Sequence, residues 1–200
     1  MDIFTIGYAG LTESQFVKLL KQMNVSAVAD VRSSPYSKTF PGFNRENMPN
    51  WLSESGIRYV YLGEELGPRS MDPAHYKDDQ VQFERLKQTE LFNKGIRRLE
   101  NGSKRMTIAI MCAEKDPMTC HRSLLVAHYG QSSALSFHHI HQNGEVESHA
   151  QMLRRAMGAL KIEEDMFTPI DQCLEKTYQK LCTLYAYKKI TRAPEGVPFK

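Results

Sequence analysis

The chain alternates between short apolar runs and segments in which apolar residues recur at intervals of three and four. The runs predict β-strands over 3–6, 27–31, 57–62, 106–111 and 137–141. The helical spacing predicts helices over 12–23, 45–54, 83–99, 123–127 and 146–160, the third of them broken. Thr12 and Gln15 have the spacing of a capping box. This alternation predicts a parallel sheet with right-handed crossovers.

The predicted fold class is α/β, with a Rossmann-like or flavodoxin-like, mostly parallel sheet covered by helices on both faces. We assign residues 1–162 to this domain and residues 163–200 to a C-terminal helical extension with a loose tail after Ile190. The helix predicted over 167–187 either docks on the domain or is a candidate interface for a homodimer. Strand order does not follow from the sequence.

Composition narrows the class of protein without identifying it. The chain has 200 residues and a net charge of +3, which permits anionic partners but lacks the dense basic stripe of a duplex-DNA binder. No apolar run approaches the roughly 18 residues of a membrane span, and the N-terminus carries no signal-peptide pattern, so we expect a cytoplasmic protein without a membrane partner. Its four cysteines then indicate reduced thiols or a metal site.

The segment 112–122 concentrates reactive groups between a predicted strand and a predicted helix. Ligands of open α/β sheets bind at the carboxyl ends of strands. We predict Cys112, Glu114, Cys120 and His121 as catalytic residues. A thiol near a helix N-terminus, beside histidine and arginine, favours the thiolate, which could act as nucleophile or redox group. The carboxylate could act as acid or base.

Two alternatives concern the same thiols. Cys112 and Cys120 could form a reversible disulfide across the seven residues between them, or could be inert buried thiols. A phosphatase-like loop starting at Cys112 is excluded, because it would need arginine at position 118, where Met118 stands.

The other predicted strand ends supply candidate ligand-binding residues, namely Tyr8, Asp30, Arg32, Ser34 and Arg69, joined by Arg122 from the segment 112–122. Arg32 and Arg122 are expected to grip an anion. Asp30 is expected to cap a turn or orient a ligand hydroxyl, since an ion pair with Arg32, two residues on, is expected to be strained. A structural role for Arg32, tying loops together, is the rival interpretation.

These strand ends together resemble the DUF488 family, an uncharacterised group of microbial proteins. The resemblance rests on the Thr-Ile-Gly-Tyr ending at Tyr8, the Asp-Val-Arg-x-x-Pro starting at Asp30, the Gly-Pro-Arg ending at Arg69 and, most specifically, the Cys-x-Glu-x5-Cys-His-Arg ending at Arg122. It covers about residues 3–153. The resemblance implies a fold and a site but supplies no reaction.

Three functional hypotheses follow. The first is an enzyme acting on a phosphate- or carboxylate-bearing small molecule, such as a nucleotide. The second is a non-catalytic module that binds nucleic acid or a nucleotide through arginines and loop aromatics. The third is a metal protein that combines the Cys/His segment with His138, His139, His141 and His149. Their spacing matches no compact zinc motif, so we assign no metal ligand, and the cofactor stays open.

Overall fold

The computed structural model describes residues 1–131, 134–164 and 167–189. The tail predicted after Ile190 lies outside them. Six strands form one sheet in the order β3-β2-β6-β1-β7-β8. All neighbours pair in parallel except β8, which runs antiparallel to β7. The strands of this sheet are β1 (Asp2–Gly7), β2 (Ala27–Asp30), β3 (Arg58–Tyr61), β6 (Ile108–Cys112), β7 (Ser136–Ile140) and β8 (Val146–Ser148).

The helices and a small hairpin complete the chain. The helices are α1 (Glu13–Gln22), α2 (Met48–Glu54), α3 (Gly63–Leu66), α4 (Phe83–Leu86), α5 (Glu90–Ser103), α6 (His128–Gly130), α7 (His149–Ala159) and α8 (Ile170–Tyr185). The hairpin consists of β4 (Tyr76–Lys77) and β5 (Gln80–Val81). The mostly parallel α/β fold with a C-terminal helix is thus confirmed.

Local signals explain most of these boundaries. Thr12 caps α1, and the predicted capping box with Gln15 is present. The break expected in the third helix lies between α4 and α5, where Thr89 caps the second piece. Two expectations were wrong in detail. Residues 146–148 form the edge strand β8 rather than helix. The four-residue helix α3 lies where no helix was predicted, because so short a helix shows no periodic pattern.

Both faces of the sheet are covered, as the apolar strands require. Along β6, Ile108 and Ile110 belong to one buried cluster, whereas Ala109 and Met111 belong to the other. The first cluster includes apolar side chains of α5 and α8, and the second includes those of α1 and α2. This alternation is the period of two expected for a strand buried on both sides.

The sheet order brings the chemically rich strand ends together. Because β6 lies between β1 and β2, its last residue, Cys112, pairs with Gly7, and its neighbour Met111 pairs with Asp30. In the Rossmann and flavodoxin strand orders, by contrast, the first and second strands are direct neighbours. The segment that follows β6 is therefore flanked by the residues that follow β1 and β2.

The C-terminal helix docks on the domain that precedes it. Tyr178 of α8 donates a hydrogen bond to the carbonyl of Leu124 at 2.9 Å, and Cys173 and Leu181 are buried. The homodimer through this helix stays a prediction. In the described parts of the chain, no helix combines the length and apolarity needed to cross a membrane.

Candidate active site

The turn after β6 folds back so that Cys120 lies over Cys112. Asp116 begins a short 3-10 helix, Pro117–Thr119, by accepting a hydrogen bond from the backbone N–H of Met118 at 2.9 Å. Cys120 ends this helix, and a π-helical segment, Arg122–Ala127, then continues into α6. Segments of π-helix inside α-helices are frequent at functional sites.

Four predicted catalytic side chains converge in this turn. One ligand-type atom from each of Cys112, Glu114, Cys120 and His121 lies within 4.8 Å of all the others. The Oε2 atom of Glu114 lies 3.0 Å from Cys112 Sγ and 2.9 Å from Cys120 Sγ. The Nδ1 atom of His121 lies 3.5 Å from Cys112 Sγ and 4.0 Å from Cys120 Sγ. Both thiols are free.

The backbone fixes the orientation of the imidazole. His121 Nε2 lies 2.9 Å from the carbonyl oxygen of Val31, at the end of β2. A carbonyl only accepts hydrogen bonds, so Nε2 carries the proton and donates it. In the neutral ring, the lone pair of Nδ1 therefore faces the two sulfurs.

The surroundings shift the pKa values of these four groups in different directions. Burial raises the pKa of Cys112, and the neighbouring Cys120 and Glu114 raise it further. Burial opposes ionisation of Cys120 as well, but the Cys112 hydrogen bond, Arg122 and His121 bring its pKa well below the usual value. Burial and the charge of Cys120 raise the pKa of Glu114. Burial lowers the pKa of His121, but Cys120 and Glu114 outweigh it, so that the pKa is raised overall.

The structure corrects the expected role of Arg122. Its side chain is fully buried behind the turn. Nη1 donates to the carbonyl of Glu114 at 2.6 Å, Nη2 to that of Lys115 at 3.3 Å, and Nε to Thr5 Oγ1 at 3.3 Å. Each nitrogen of the guanidinium thus has a protein partner. The residue holds the turn in place, and its side chain is not among those that line the cavity described below.

Asp30 and Arg32 form the ion pair that their spacing was expected to strain. Arg32 Nη2 lies 2.6 Å from Asp30 Oδ2, and Arg32 Nε donates to Asp30 Oδ1 at 2.9 Å. Tyr59 donates to Oδ2 at 2.7 Å, and Arg32 Nη1 donates to Tyr8 Oη at 3.1 Å. Asp30 is fully buried and does not line the cavity described below, so its contact with a ligand hydroxyl stays a prediction.

A cavity of about 420 Å³ opens above the turn. Cys112, Glu114 and His121 form part of its wall, whereas Cys120 lies behind them and is not among the lining residues. Of the predicted ligand-binding residues, Tyr8, Arg32, Ser34 and Arg69 line it. The predicted site residues do not include eight others that also line it, namely Ser33, Tyr36, Ser37, Pro68, Ala113, Thr119, Tyr185 and Tyr187. The last two come from the end of α8 and beyond, which no strand-end motif could indicate.

Comparison with known proteins decides the family. The sequence model of the family described as "Domain of unknown function DUF488" matches residues 13–129, more than half of the chain. The protein belongs to the DUF488 family. The matched range includes the whole segment 112–122 and the Asp30 and Arg32 pair, but it excludes Tyr8 and the C-terminal tyrosines of the cavity.

Other comparisons add little. Two crystal structures of a DUF442 protein from Shewanella putrefaciens CN-32, described as a candidate phosphatase, each have 14% sequence identity with this chain and cover 92% of it. The matches cover 87% and 85% of those chains, with TM-scores of 0.39 and 0.40. Structural similarity at this level does not indicate a shared function. No curated protein matches the chain.

Two other sets of residues, the aromatics and the histidines, have contacts in this DUF488 chain that differ from the roles considered for them. Several aromatics considered for base stacking are core residues, such as Tyr8, which stacks on Phe43 with ring centroids 4.5 Å apart. The histidines considered as zinc ligands pair elsewhere. His139 Nε2 lies 3.1 Å from His149 Nδ1. His138 pairs with Asp2 and His141 with Glu147.

Proposed function

We propose that the protein is an enzyme acting on a small molecule that carries a phosphate or carboxylate group. The observation that supports this most is the convergence of Cys112, Glu114 and His121 on the wall of a single cavity. Groups that combine strongly shifted pKa values with a shared cleft are typical of active sites. A purely structural turn would gain nothing from presenting a carboxylate, a thiol and an imidazole to the same space.

Other residues of the cavity wall are suited to an anion. Arg69 is exposed, and its guanidinium lies over the ring of Tyr187 with 4.8 Å between the carbon and the centroid. Within the described residues it has no ion-pair partner, whereas the charge of Arg32 is matched by Asp30. The hydroxyls of Ser34 and Ser37 can add hydrogen bonds to phosphate or carboxylate oxygens.

Glu114 is the acid or base of the proposed reaction. The residue is exposed on the turn, but its Oε2 atom turns inward between the sulfurs. Its raised pKa brings it closer to neutral pH, where proton transfer by a carboxyl group is most effective. Cys120 does not line the cavity, so of the two thiols only Cys112 is placed to meet a substrate.

The test compares Glu114→Gln and Arg69→Gln with the unaltered protein on a panel of phosphate monoesters, including p-nitrophenyl phosphate, and carboxylate esters. Glu114→Gln should lower kcat by about a hundredfold or more, since general acid–base catalysis contributes that much. Arg69→Gln should chiefly raise KM. Arg58→Gln is the matched control, because Arg58 is exposed at the start of β3, at the other edge of the sheet.

Two results would contradict the proposal. One is full turnover in Glu114→Gln. The other is an absence of turnover together with no binding of inorganic phosphate or acetate to the unaltered protein. Salt-sensitive binding of a single-stranded oligonucleotide without chemistry would instead favour the non-catalytic module.

A further inference from the structure

We propose that Cys112, Cys120 and His121 bind one zinc ion, with the fourth coordination position beside Glu114 and open to the cavity. The proposal concerns the same centre as the proposed function and deepens it. Its test measures metal rather than turnover, so either proposal can fail alone.

The donor atoms are of the right kind. Two thiolates and one imidazole nitrogen are the ligands that zinc prefers among side chains, and they favour it over magnesium or calcium. Catalytic zinc sites typically have three protein ligands and one open position, whereas structural sites are closed. Here three buried donors and one exposed carboxylate residue meet at a cavity wall, which is the arrangement of an open site.

The spacing of the atoms also fits. With zinc bonds of about 2.0–2.3 Å, ligand atoms of a tetrahedron lie about 3.3–3.8 Å apart. Cys112 Sγ and His121 Nδ1 are 3.5 Å apart, within this range, and Cys120 Sγ and Nδ1, at 4.0 Å, need to approach by only a few tenths of an ångström. Glu114 Oε2, at 2.9–3.0 Å from both sulfurs, is closer to them than a tetrahedral ligand would be, so it lies beside the fourth position, which water or a substrate oxygen can reach from the cavity.

Neighbouring groups orient these ligands as in metal sites. The hydrogen bond from His121 Nε2 to the Val31 carbonyl fixes the tautomer in which Nδ1 is the donor atom for a metal. The backbone N–H of Arg122 donates to Cys120 Sγ at 3.4 Å, which stabilises a thiolate. The Arg122 side chain secures the carbonyl of Glu114 between the two cysteines. The site is therefore held by surrounding contacts and not only by its ligands.

In this arrangement the two cysteines are ligands and not nucleophiles. Glu114 keeps the role that the proposed function gives it, now beside the open coordination position. The reversible disulfide considered for Cys112 and Cys120 is the competing state, since sulfurs joined in a disulfide cannot bind zinc as thiolates.

The experiment measures zinc per chain by mass spectrometry in protein purified under reducing conditions without chelator, and again after stripping and addition of zinc. About one zinc per chain is expected in the unaltered protein, in Glu114→Gln and in the control Cys182→Ser. Cys182 is a half-buried thiol on α8, outside the cluster. Cys112→Ser, Cys120→Ser and His121→Ala should each lose most of the zinc.

A second readout covers variants that fail to fold. Cobalt added to stripped, unaltered protein should give a thiolate-to-cobalt charge-transfer band and the visible bands of tetrahedral cobalt. Less than a tenth of a zinc per chain after addition of zinc, or cobalt spectra without a thiolate band, would overturn the proposal. Zinc at full occupancy without turnover of any substrate would leave the site standing and count against the proposed function.

Discussion

Arg122→Lys tests the structural role of a residue whose sequence position favours ligand binding. Lysine keeps the positive charge but presents one compact ammonium instead of a planar fork. The guanidinium donates to two backbone carbonyls and to Thr5 Oγ1, and one ammonium in this fully buried position can replace at most one or two of these contacts. The substitution therefore separates charge from geometry.

The magnitude follows from the lost contacts. A hydrogen bond that involves a charged group contributes about 1.5–3 kcal/mol, and a buried carbonyl left unsatisfied costs a similar amount. Loss of two such contacts should lower the free energy of unfolding by about 3–6 kcal/mol. Native domains have a total stability of only about 5–15 kcal/mol, so the change is a large fraction of it.

The assay is urea unfolding followed by circular dichroism, with Arg97→Lys as the control. Arg97 is an exposed arginine on α5 that pairs with Glu90, and exposed pairs contribute about 0–1 kcal/mol. The reasoning would be refuted if Arg122→Lys changed stability by less than about 1 kcal/mol while weakening the binding of inorganic phosphate. That result would restore the anion-binding role that the sequence suggested.

Two further predictions concern the stability of the fold. Burial lowers the pKa of His149 to about 3 and that of His128 to about 4, below the roughly 6.5 of an unfolded chain, so the unfolded state takes up protons first as the pH falls. For each histidine, the free energy of unfolding should fall by about 2 kcal/mol between pH 7 and pH 5. His149→Asn should weaken this pH dependence in urea unfolding, and an unchanged pH dependence would contradict the prediction. A Cβ at Gly7 would lie 1.8 Å from the Glu114 carbonyl oxygen. Gly7→Ala should therefore destabilise the protein by about 1–3 kcal/mol or more in thermal unfolding. In the control Gly158→Ala, the new methyl group has open space around it in α7, so the change should be neutral or stabilising.

The sequence by itself determined the fold class and the location of the candidate site. Apolar runs and helical spacing depend on local periodicity, and the capping box at Thr12 depends on neighbours within one turn, so both can be recognised without tertiary structure. The segment from Cys112 to Arg122 was recognisable for the same reason. Its reactive residues follow a buried strand, where an α/β sheet places its ligands.

Only the tertiary structure decided which of these residues meet and which face the cavity. The pairing of β6 between β1 and β2 joins residues far apart in the chain, and it places the Val31 carbonyl within hydrogen-bonding distance of His121. Two arginines with similar sequence settings contact protein partners, Arg32 the Asp30 carboxylate and Arg122 backbone carbonyls, whereas Arg69 stays exposed. Sequence patterns specify which groups a turn carries, but the burial and partners of each group depend on residues far away in the chain.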